Sequence, residues 1–391
     1  MKIHLIAAAR PNFMKIAPLY HALRKENWAR TVIVHTGQHY DLNMSDVFFA
    51  DLRLPQPDIH LGIGGGTHAE QTGKVMMAYE KVLLDERPDL VVVVGDVNST
   101  MACTLAASKI FYPAASSPNS LAHSSHDTGL AAAGWKNFNR PIIAHLEAGL
   151  RSYDRTMPEE INRNVTDSLA DLLWTPSPDA DENLLKEGVD KSKILRVGNI
   201  MIDSLEMLRS QIEQQNVHQE FGLEKHSFGL VTLHRPSNVD NQENLARLCD
   251  TLAGVARNTP LVFPVHPRTK NSLAKFGLLQ QMMSSEGIIL TDPINYIRFM
   301  NLVFNCRFVI TDSGGIQEET TYLGIPCLTL RPNTERPVTV TQGTNKLCTL
   351  DNLMGYVQGI CSGGENKYAI PELWDGHTAE RVVNSIRNYS A

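Results

Sequence analysis

Residues 307–326, RFVITDSGGIQEETTYLGIP, restrict the fold of this chain more than any other stretch. The apolar run Phe308-Val309-Ile310 reads as a buried strand, Asp312-Ser313-Gly314-Gly315 breaks it, and Ile316-Gln317-Glu318-Glu319 opens a helical pattern that Gly324-Ile325-Pro326 closes. Strand, glycine turn and helix follow in the order from which parallel α/β sheets are built. Two consecutive glycines at a helix start let backbone N–H groups approach a ligand closely. The positive end of the helix dipole favours an anion there, most naturally a phosphate or diphosphate. Glu319, near the first turn, is placed to accept hydrogen bonds from sugar hydroxyls. An ordinary tight βα turn capped by Asp312 or Ser313 would look the same in sequence.

The same punctuation recurs upstream. Residues 2–9 read as a strand, and Pro11 can take the first position of a helix running to about Glu26. Arg10 and Lys15 bracket that helix start, where cations oppose the dipole. Either an anionic ligand sits between them or both are solvated surface charges. Residues 31–36 form a strand ending in the polar loop Gly37-Gln38-His39-Tyr40. Gly64-Gly65-Gly66 resembles a phosphate loop, but no strong strand precedes it, and Thr67 with Glu70 makes a capping box for a helix over 68–84. The nearly all-apolar run 88–96 has the character of a central parallel strand and delivers Asp96 at its carboxyl end. Residues 113–140 break the rhythm and predict a long surface loop, a candidate lid. The strand 141–146 then leads into His145-Leu146-Glu147-Ala148-Gly149-Leu150-Arg151. Pro158 starts a helix with Glu159 and Glu160 in its first turn, where glutamates commonly do no more than complement the dipole.

In the second half, residues 229–233 form a strand ending in His234-Arg235-Pro236, and 261–265 one ending in His266-Pro267-Arg268. A lone histidine is usually a satisfied structural residue. Two at equivalent strand ends occupy the place where ligands bind in doubly wound sheets. The fold expected is therefore α/β, two Rossmann-like doubly wound domains facing a cleft. The first covers 1–197, with a final helix in 371–391 packing back on it, and the second 198–370. Asp96, Glu147, Glu159 and Arg10 would come from one wall, and His234, Ser313 and Glu319 from the other.

Several classes fall away. Neither GxGxxG nor GxxxxGK[ST] occurs, so neither a dinucleotide nor ATP is indicated. No apolar run approaches the roughly 20 residues of a membrane span. The start, MKIHLIAAARPNF, has the periodicity of a strand rather than of a signal, so a soluble, cytoplasmic protein is expected. A net charge of −6 argues against a nucleic-acid-coating surface. The six cysteines show no CxxC pair and no zinc spacing, as expected of reduced, mostly buried thiols rather than a metal site.

Taken in order, Arg10-Pro11 with Lys15, Gly37-Gln38-His39, Gly95-Asp96, residues 145–151, Pro158-Glu159-Glu160-Ile161-Asn162-Arg163, His234-Arg235, Pro264-Val265-His266, residues 311–319 and Thr334-Glu335-Arg336-Pro337 carry a specific likeness. Over about residues 1–345 the sequence resembles the non-hydrolysing UDP-N-acetylglucosamine 2-epimerases. The resemblance implies a fold like that of the GT-B glycosyltransferases, a homodimer, and no metal or redox cofactor. It also implies interconversion of UDP-GlcNAc and UDP-ManNAc through elimination of UDP. By the same resemblance Asp96, Glu147 and Glu159 are the acid/base set, and His234 partners the departing diphosphate. Arg10, Ser313, Gly314 and Gly315 match diphosphate positions, Glu319 the ribose position, and Phe299 the uracil pocket. Lys15, Gln38, His39, His266 and Arg336 are further candidates. In some members of the family a second UDP-GlcNAc binds beside the active site as an activator, in the region of Gln38 and His266. The chain departs from the family at Ala8-Ala9, where Gly-Thr is usual, at Asn12, where many members carry Glu, and in the 113–140 insertion.

A hydrolysing 2-epimerase, a GT-B glycosyltransferase and a UDP-sugar sensor without turnover are the alternatives. Gly37-Gln38-His39-Tyr40-Asp41 with Asn43-Met44-Ser45-Asp46 also resembles a subgroup that includes epimerases of diacetamido uronic acid sugars.

Overall fold

The computed structural model describes residues 1–37, 49, 51–112, 139–363 and 367–390. Gln38, His39 and all but the end of the expected 113–140 insertion lie outside these residues. The described chain divides into two compact units, Met1–Ser204 with Glu372–Ala391, and Leu205–Pro371.

The first unit is built on seven parallel strands: β1 (Lys2–Ala7), β2 (Arg30–His35), β3 (Ile59–His60), β4 (Leu90–Val94), β5 (Ile142–Leu146), β6 (Leu172–Thr175) and β7 (Ile194–Arg196). Their order is β3-β2-β1-β4-β5-β6-β7, so the winding reverses between β1 and β4. Every residue of β4 and β5 is buried, which explains why neither alternates polar with apolar. Their register pairs Val94 with Leu146 and so brings Gly95-Asp96 and Glu147 to the same sheet edge. The helix His68–Glu86 starts at Thr67, whose hydroxyl accepts the Glu70 N–H while Glu70 returns the bond, the reciprocal cap expected from the spacing. Tyr79 and Leu83 from this helix pack with Val91, Val93, Ile143 and Leu173 in the core. The chain's last helix, Thr378–Ser390, returns to this unit, where Trp174 donates its indole N–H to Ser385 at 3.1 Å. Asp203 accepts the Thr378 and Ala379 N–H groups at the start of that helix.

The second unit has six parallel strands: β8 (Gly229–Thr232), β9 (Leu261–Pro264), β10 (Ile288–Thr291), β11 (Phe308–Thr311), β12 (Cys327–Thr329) and β13 (Asn345–Leu347). The order is β10-β9-β8-β11-β12-β13, and the reversal falls between β8 and β11. The α/β doubly wound architecture expected from the sequence is therefore present in both units. Strand β13 was not legible, because Asn345-Lys346-Leu347 has no strand-like pattern of its own and is ordered by pairing with β12. All six cysteines are free, and five are buried. Among the described residues no helix is long and apolar enough to cross a membrane, and no group of three or more His, Cys, Asp or Glu could hold a metal ion.

Candidate functional site

In open α/β sheets ligands bind outside the carboxyl ends of the strands, where the winding reverses. In the first unit that place lies after β1 and β4. The helix Arg10–Leu23 follows β1, and Asn12 on its first turn accepts the Ala9 N–H at 3.0 Å and donates to the Val94 carbonyl at 2.9 Å, stitching the two strand ends together. One turn on, Lys15 forms a buried ion pair with Glu147. For Lys15, then, neither an anionic ligand nor solvent is the partner seen, but a carboxylate of the chain itself. Glu147 takes a left-handed backbone conformation, φ +77°, which for a non-glycine residue costs on the order of 1 kcal/mol or more. Its N–H and that of Ala148 both donate to the Trp174 carbonyl, at 3.0 and 3.1 Å, and hold it there. Gly95 has φ +66°, and a Cβ on it would lie 3.0 Å from Lys15 Nζ and 3.3 Å from Glu147 Oε2, so this turn strongly favours glycine.

Asp96 follows and pairs with Arg163 of the helix Pro158–Leu169. Asn162, on the same helix, donates to the Asp96 carbonyl at 2.8 Å. Glu160 is buried and accepts from Ser152 N–H, Ser152 hydroxyl, Tyr153 N–H and the Arg163 guanidinium. Burial alone would raise its carboxyl, but these donors hold it below its ordinary value. Glu159 is exposed on the first turn of that helix. Beneath the site, His145 is fully buried between Asp167, at 2.6 Å, and the Gly95 carbonyl, at 2.9 Å.

In the second unit the reversal places the ends of β8 and β11 side by side. Asp312 does not cap the helix Gly314–Leu323, and Ser313, at the N-cap position, makes no side-chain cap bond. Asp312 instead reaches back to β8, accepting the N–H groups of His234 and Arg235 at 3.1 and 2.9 Å, the Asn238 amide at 3.0 Å and His234 Nδ1 at 3.1 Å. Its burial favours the neutral acid, but His234 and Asn238 outweigh that and hold the carboxyl below its ordinary range. The imidazole of His234 is thereby aimed from a fixed base while staying 39% exposed. The His266 ring lies 5.3 Å from it, centroid to centroid. Burial, followed by the neighbouring His234, lowers the His266 pKa, and its Nδ1 accepts the Arg268 N–H at 3.2 Å.

The first N–H groups of the helix Gly314–Leu323 have no intrahelical partner, as at any helix start. A Cβ on Gly314 would lie 2.7 Å from both Arg336 and Glu335, whereas Gly315 faces open space. Arg336 is tied to Glu318 and Glu335, and Arg331 also reaches Glu335. Glu319 is buried, and Tyr296 donates to it at 2.6 Å. Burial pushes its pKa up to about 8, against the tyrosine hydrogen bond and with help from neighbouring Glu318. Burial thus favours the protonated acid, which can donate as well as accept. Phe299 is half-buried on the helix Tyr296–Asn305.

Of the residues singled out in sequence, the structure brings Asp96, Glu147 and Lys15 to one sheet edge of the first unit. In the second unit it brings His234, His266, Ser313, Gly314 and Gly315 to the ends of β8, β9 and β11. Arg10 opens the helix after β1. Asn12, Glu160, Arg163, Asp167 and Asp312 were not among the site candidates. Glu160 and Arg163 stand three apart, a readable ion-pair spacing on a helix, but nothing local links Arg163 to Asp96.

A sequence model of the UDP-N-acetylglucosamine 2-epimerase family matches residues 21–115 and 126–387. The chain is 41% identical over 395 residues to the UDP-N-acetylglucosamine 2-epimerase of Methanocaldococcus jannaschii, covering 99% of each. It is 38% identical over 351 residues to the UDP-2,3-diacetamido-2,3-dideoxy-D-glucuronate 2-epimerase of Pseudomonas aeruginosa, covering 89% of this chain and 88% of that one. The crystal structure of the M. jannaschii enzyme in complex with UDP-GlcNAc and UDP superposes with a TM-score of 0.83 at 38% identity, over 99% of both chains.

Proposed function

The chain belongs to the UDP-N-acetylglucosamine 2-epimerase family, and from that premise we propose that it interconverts UDP-GlcNAc and UDP-ManNAc without releasing free sugar. The observation that carries this is the set of acid/base side chains at the carboxyl ends of β4 and β5, each held by a buried cation, Glu147 by Lys15 and Asp96 by Arg163.

The C2 proton of a GlcNAc unit has no adjacent carbonyl and is weakly acidic, so simple abstraction is too slow at neutral pH. Anti elimination of UDP from C1 gives a 2-acetamidoglucal. Protonation of C2 from the opposite face and return of UDP to C1 then invert C2. Two faces require at least two acid/base groups, and UDP must be held throughout. We assign the proton steps to Asp96, Glu147 and Glu159. His234, based on Asp312, stabilises the diphosphate as it leaves. Arg10, Ser313 and the N–H groups of Gly314 and Gly315 hold the diphosphate, with Arg336 supporting charge, while Lys15 serves the substrate site by holding Glu147. Glu319 meets the ribose and Phe299 the uracil. We further expect a cytoplasmic homodimer that needs neither metal nor redox cofactor, with a second UDP-GlcNAc as activator near Gln38, His39 and His266.

The identity to the P. aeruginosa enzyme supports a second reading, in which the substrate is a UDP-diacetamido uronic acid sugar and the chemistry is unchanged. The deciding experiment is incubation with UDP-GlcNAc in D2O, followed by NMR at C2. Deuterium at C2 with UDP-ManNAc rising to equilibrium is the expected result. Free ManNAc plus UDP makes the enzyme hydrolytic. No exchange overturns UDP-GlcNAc as substrate, and the uronic acid nucleotide is tried next.

A further inference from the structure

We propose that His145 is a positioning residue held as an imidazolium, whose two ring N–H groups clamp the peptide joining Gly95 to Asp96 against Asp167 and so fix where Asp96 stands. The protonation follows from the partners. His145 Nε2 lies 2.9 Å from the Gly95 carbonyl, which can only accept, so Nε2 carries hydrogen. Nδ1 lies 2.6 Å from Asp167 Oδ1. Asp167 is ringed by donors, with the Gly149 N–H at 3.0 Å and the Arg151 guanidinium at 2.7 Å on its other oxygen. The Arg151 guanidinium, which is always charged, and the Gly149 N–H hold it as a carboxylate. A carboxylate also only accepts, so Nδ1 carries hydrogen as well.

The charges around the ring balance. Arg151 also pairs with Glu187 through two bonds of 2.8 and 2.7 Å, so two cations, His145 and Arg151, face two anions, Asp167 and Glu187. Such pairing is what makes buried charge tolerable. Nearby, Lys15 is matched by Glu147, while Arg163 alone faces two carboxylates, Asp96 and Glu160.

The clamp acts on Asp96 through Gly95. The Gly95 N–H donates to the Leu146 carbonyl at 3.2 Å and its own carbonyl is held by His145, so both of its peptides are fixed, at a φ of +66°. The ring has no exposure, so its effect on the site passes through the backbone it holds. Displacing an acid/base group by about 1 Å costs on the order of 10²-fold in rate, and that is the loss expected here, in kcat rather than KM.

The kinetic arm of the test rests on the proposed epimerase activity, and the spectroscopic arm does not. In protein labelled with 15N-histidine, the His145 ring, assigned by its absence in H145Q or its shift in D167N, should show hydrogen on both nitrogens at pH 7. A bare ring nitrogen overturns the proposal. With UDP-GlcNAc, H145Q should lose about 10²-fold in kcat with KM within about threefold, because its amide oxygen faces the Asp167 carboxylate. In H145Q/D167N the two amides can bond to each other, and at least about tenfold of the loss should return. A residue that served packing alone would make the double variant worse than the single. Wild-type kcat in folded H145Q, a loss confined to KM, or no recovery in the double variant each overturns the proposal. Should H145Q fail to fold, or wild type fail to turn over UDP-GlcNAc, the ring nitrogens alone decide.

Discussion

At the carboxyl ends of β4 and β5 the first unit sets Asp96 and Glu147 against Arg163 and Lys15. At the carboxyl ends of β8 and β11 the second unit turns Asp312 inward onto the backbone of His234 and Arg235 and ties Glu318 and Glu335 to Arg336, leaving imidazoles, a hydroxyl and glycine N–H groups at the edge. The two sheets share a winding pattern with one reversal each, so topology does not distinguish them. Side-chain chemistry does. Carboxylates held by cations suit proton transfer, and backbone N–H groups at a helix start suit an anion. On the proposed epimerase reading, the carboxylates of the first unit serve the protons of the sugar, and the helix start of the second, together with Arg10, serves the diphosphate.

The sharpest way to break that division is to remove the carboxylates. Asp96→Asn and Glu147→Gln should each lower kcat by about 10³-fold with KM for UDP-GlcNAc little changed, since amides cannot exchange protons with C2. Steady-state kinetics with deuterium incorporation at C2 checks this, and near-normal turnover in both variants would sink the assignment. Lys15→Met should cost about 10²-fold in kcat by taking the ammonium from Glu147, with Lys15→Arg recovering part of the loss. An effect of Lys15→Met confined to KM would instead move Lys15 to the diphosphate.

The second unit should answer in the other parameter. In Gly314→Ala the new Cβ falls 2.7 Å from Arg336 and Glu335, so the turn or the arginine must shift. KM and the affinity for UDP should weaken about tenfold while kcat changes less. Calorimetric titration of UDP measures it directly, and unchanged UDP binding would remove the turn from the anion site.

How far each unit was legible follows from the range of its interactions. The strand, glycine turn and helix around Ser313 and the cap at Thr67 are local, written within a few residues, and they stand as read. The pairing of Lys15 with Glu147 spans 132 residues, and that of Arg163 with Asp96 spans 67, so no local pattern encodes either. Asp312, one of the two residues that could have capped the helix, follows the same rule. It sits where a helix cap is expected, but β8 lies alongside and offers two backbone N–H groups and Asn238, which win over a single capping bond. Residues could be placed at strand ends from sequence, while their partners had to be learned from the fold.

The smallest predicted effect contrasts two buried acids. Asp167 in the first unit faces His145 and Arg151 and stays ionised, whereas Glu319 in the second is buried without a cation bonded to it and is pushed up to about 8. A carboxyl whose folded pKa lies above its unfolded value binds more protons when folded, so the stability it contributes is present below about 4.5 and is lost as pH rises through about 8. The second unit of the wild type should therefore weaken between pH 5 and 8.5 relative to Glu319→Gln, which has no proton to lose and can still accept from Tyr296. The difference should be a few kcal/mol at most, read from urea midpoints at the two pH values. Parallel pH dependences in the two proteins would mean that Glu319 ionises freely in the fold. Its place among the neutral donors of the second unit would then be lost, and the contrast with the cation-paired acids of the first unit would narrow to His234 and the glycine turn.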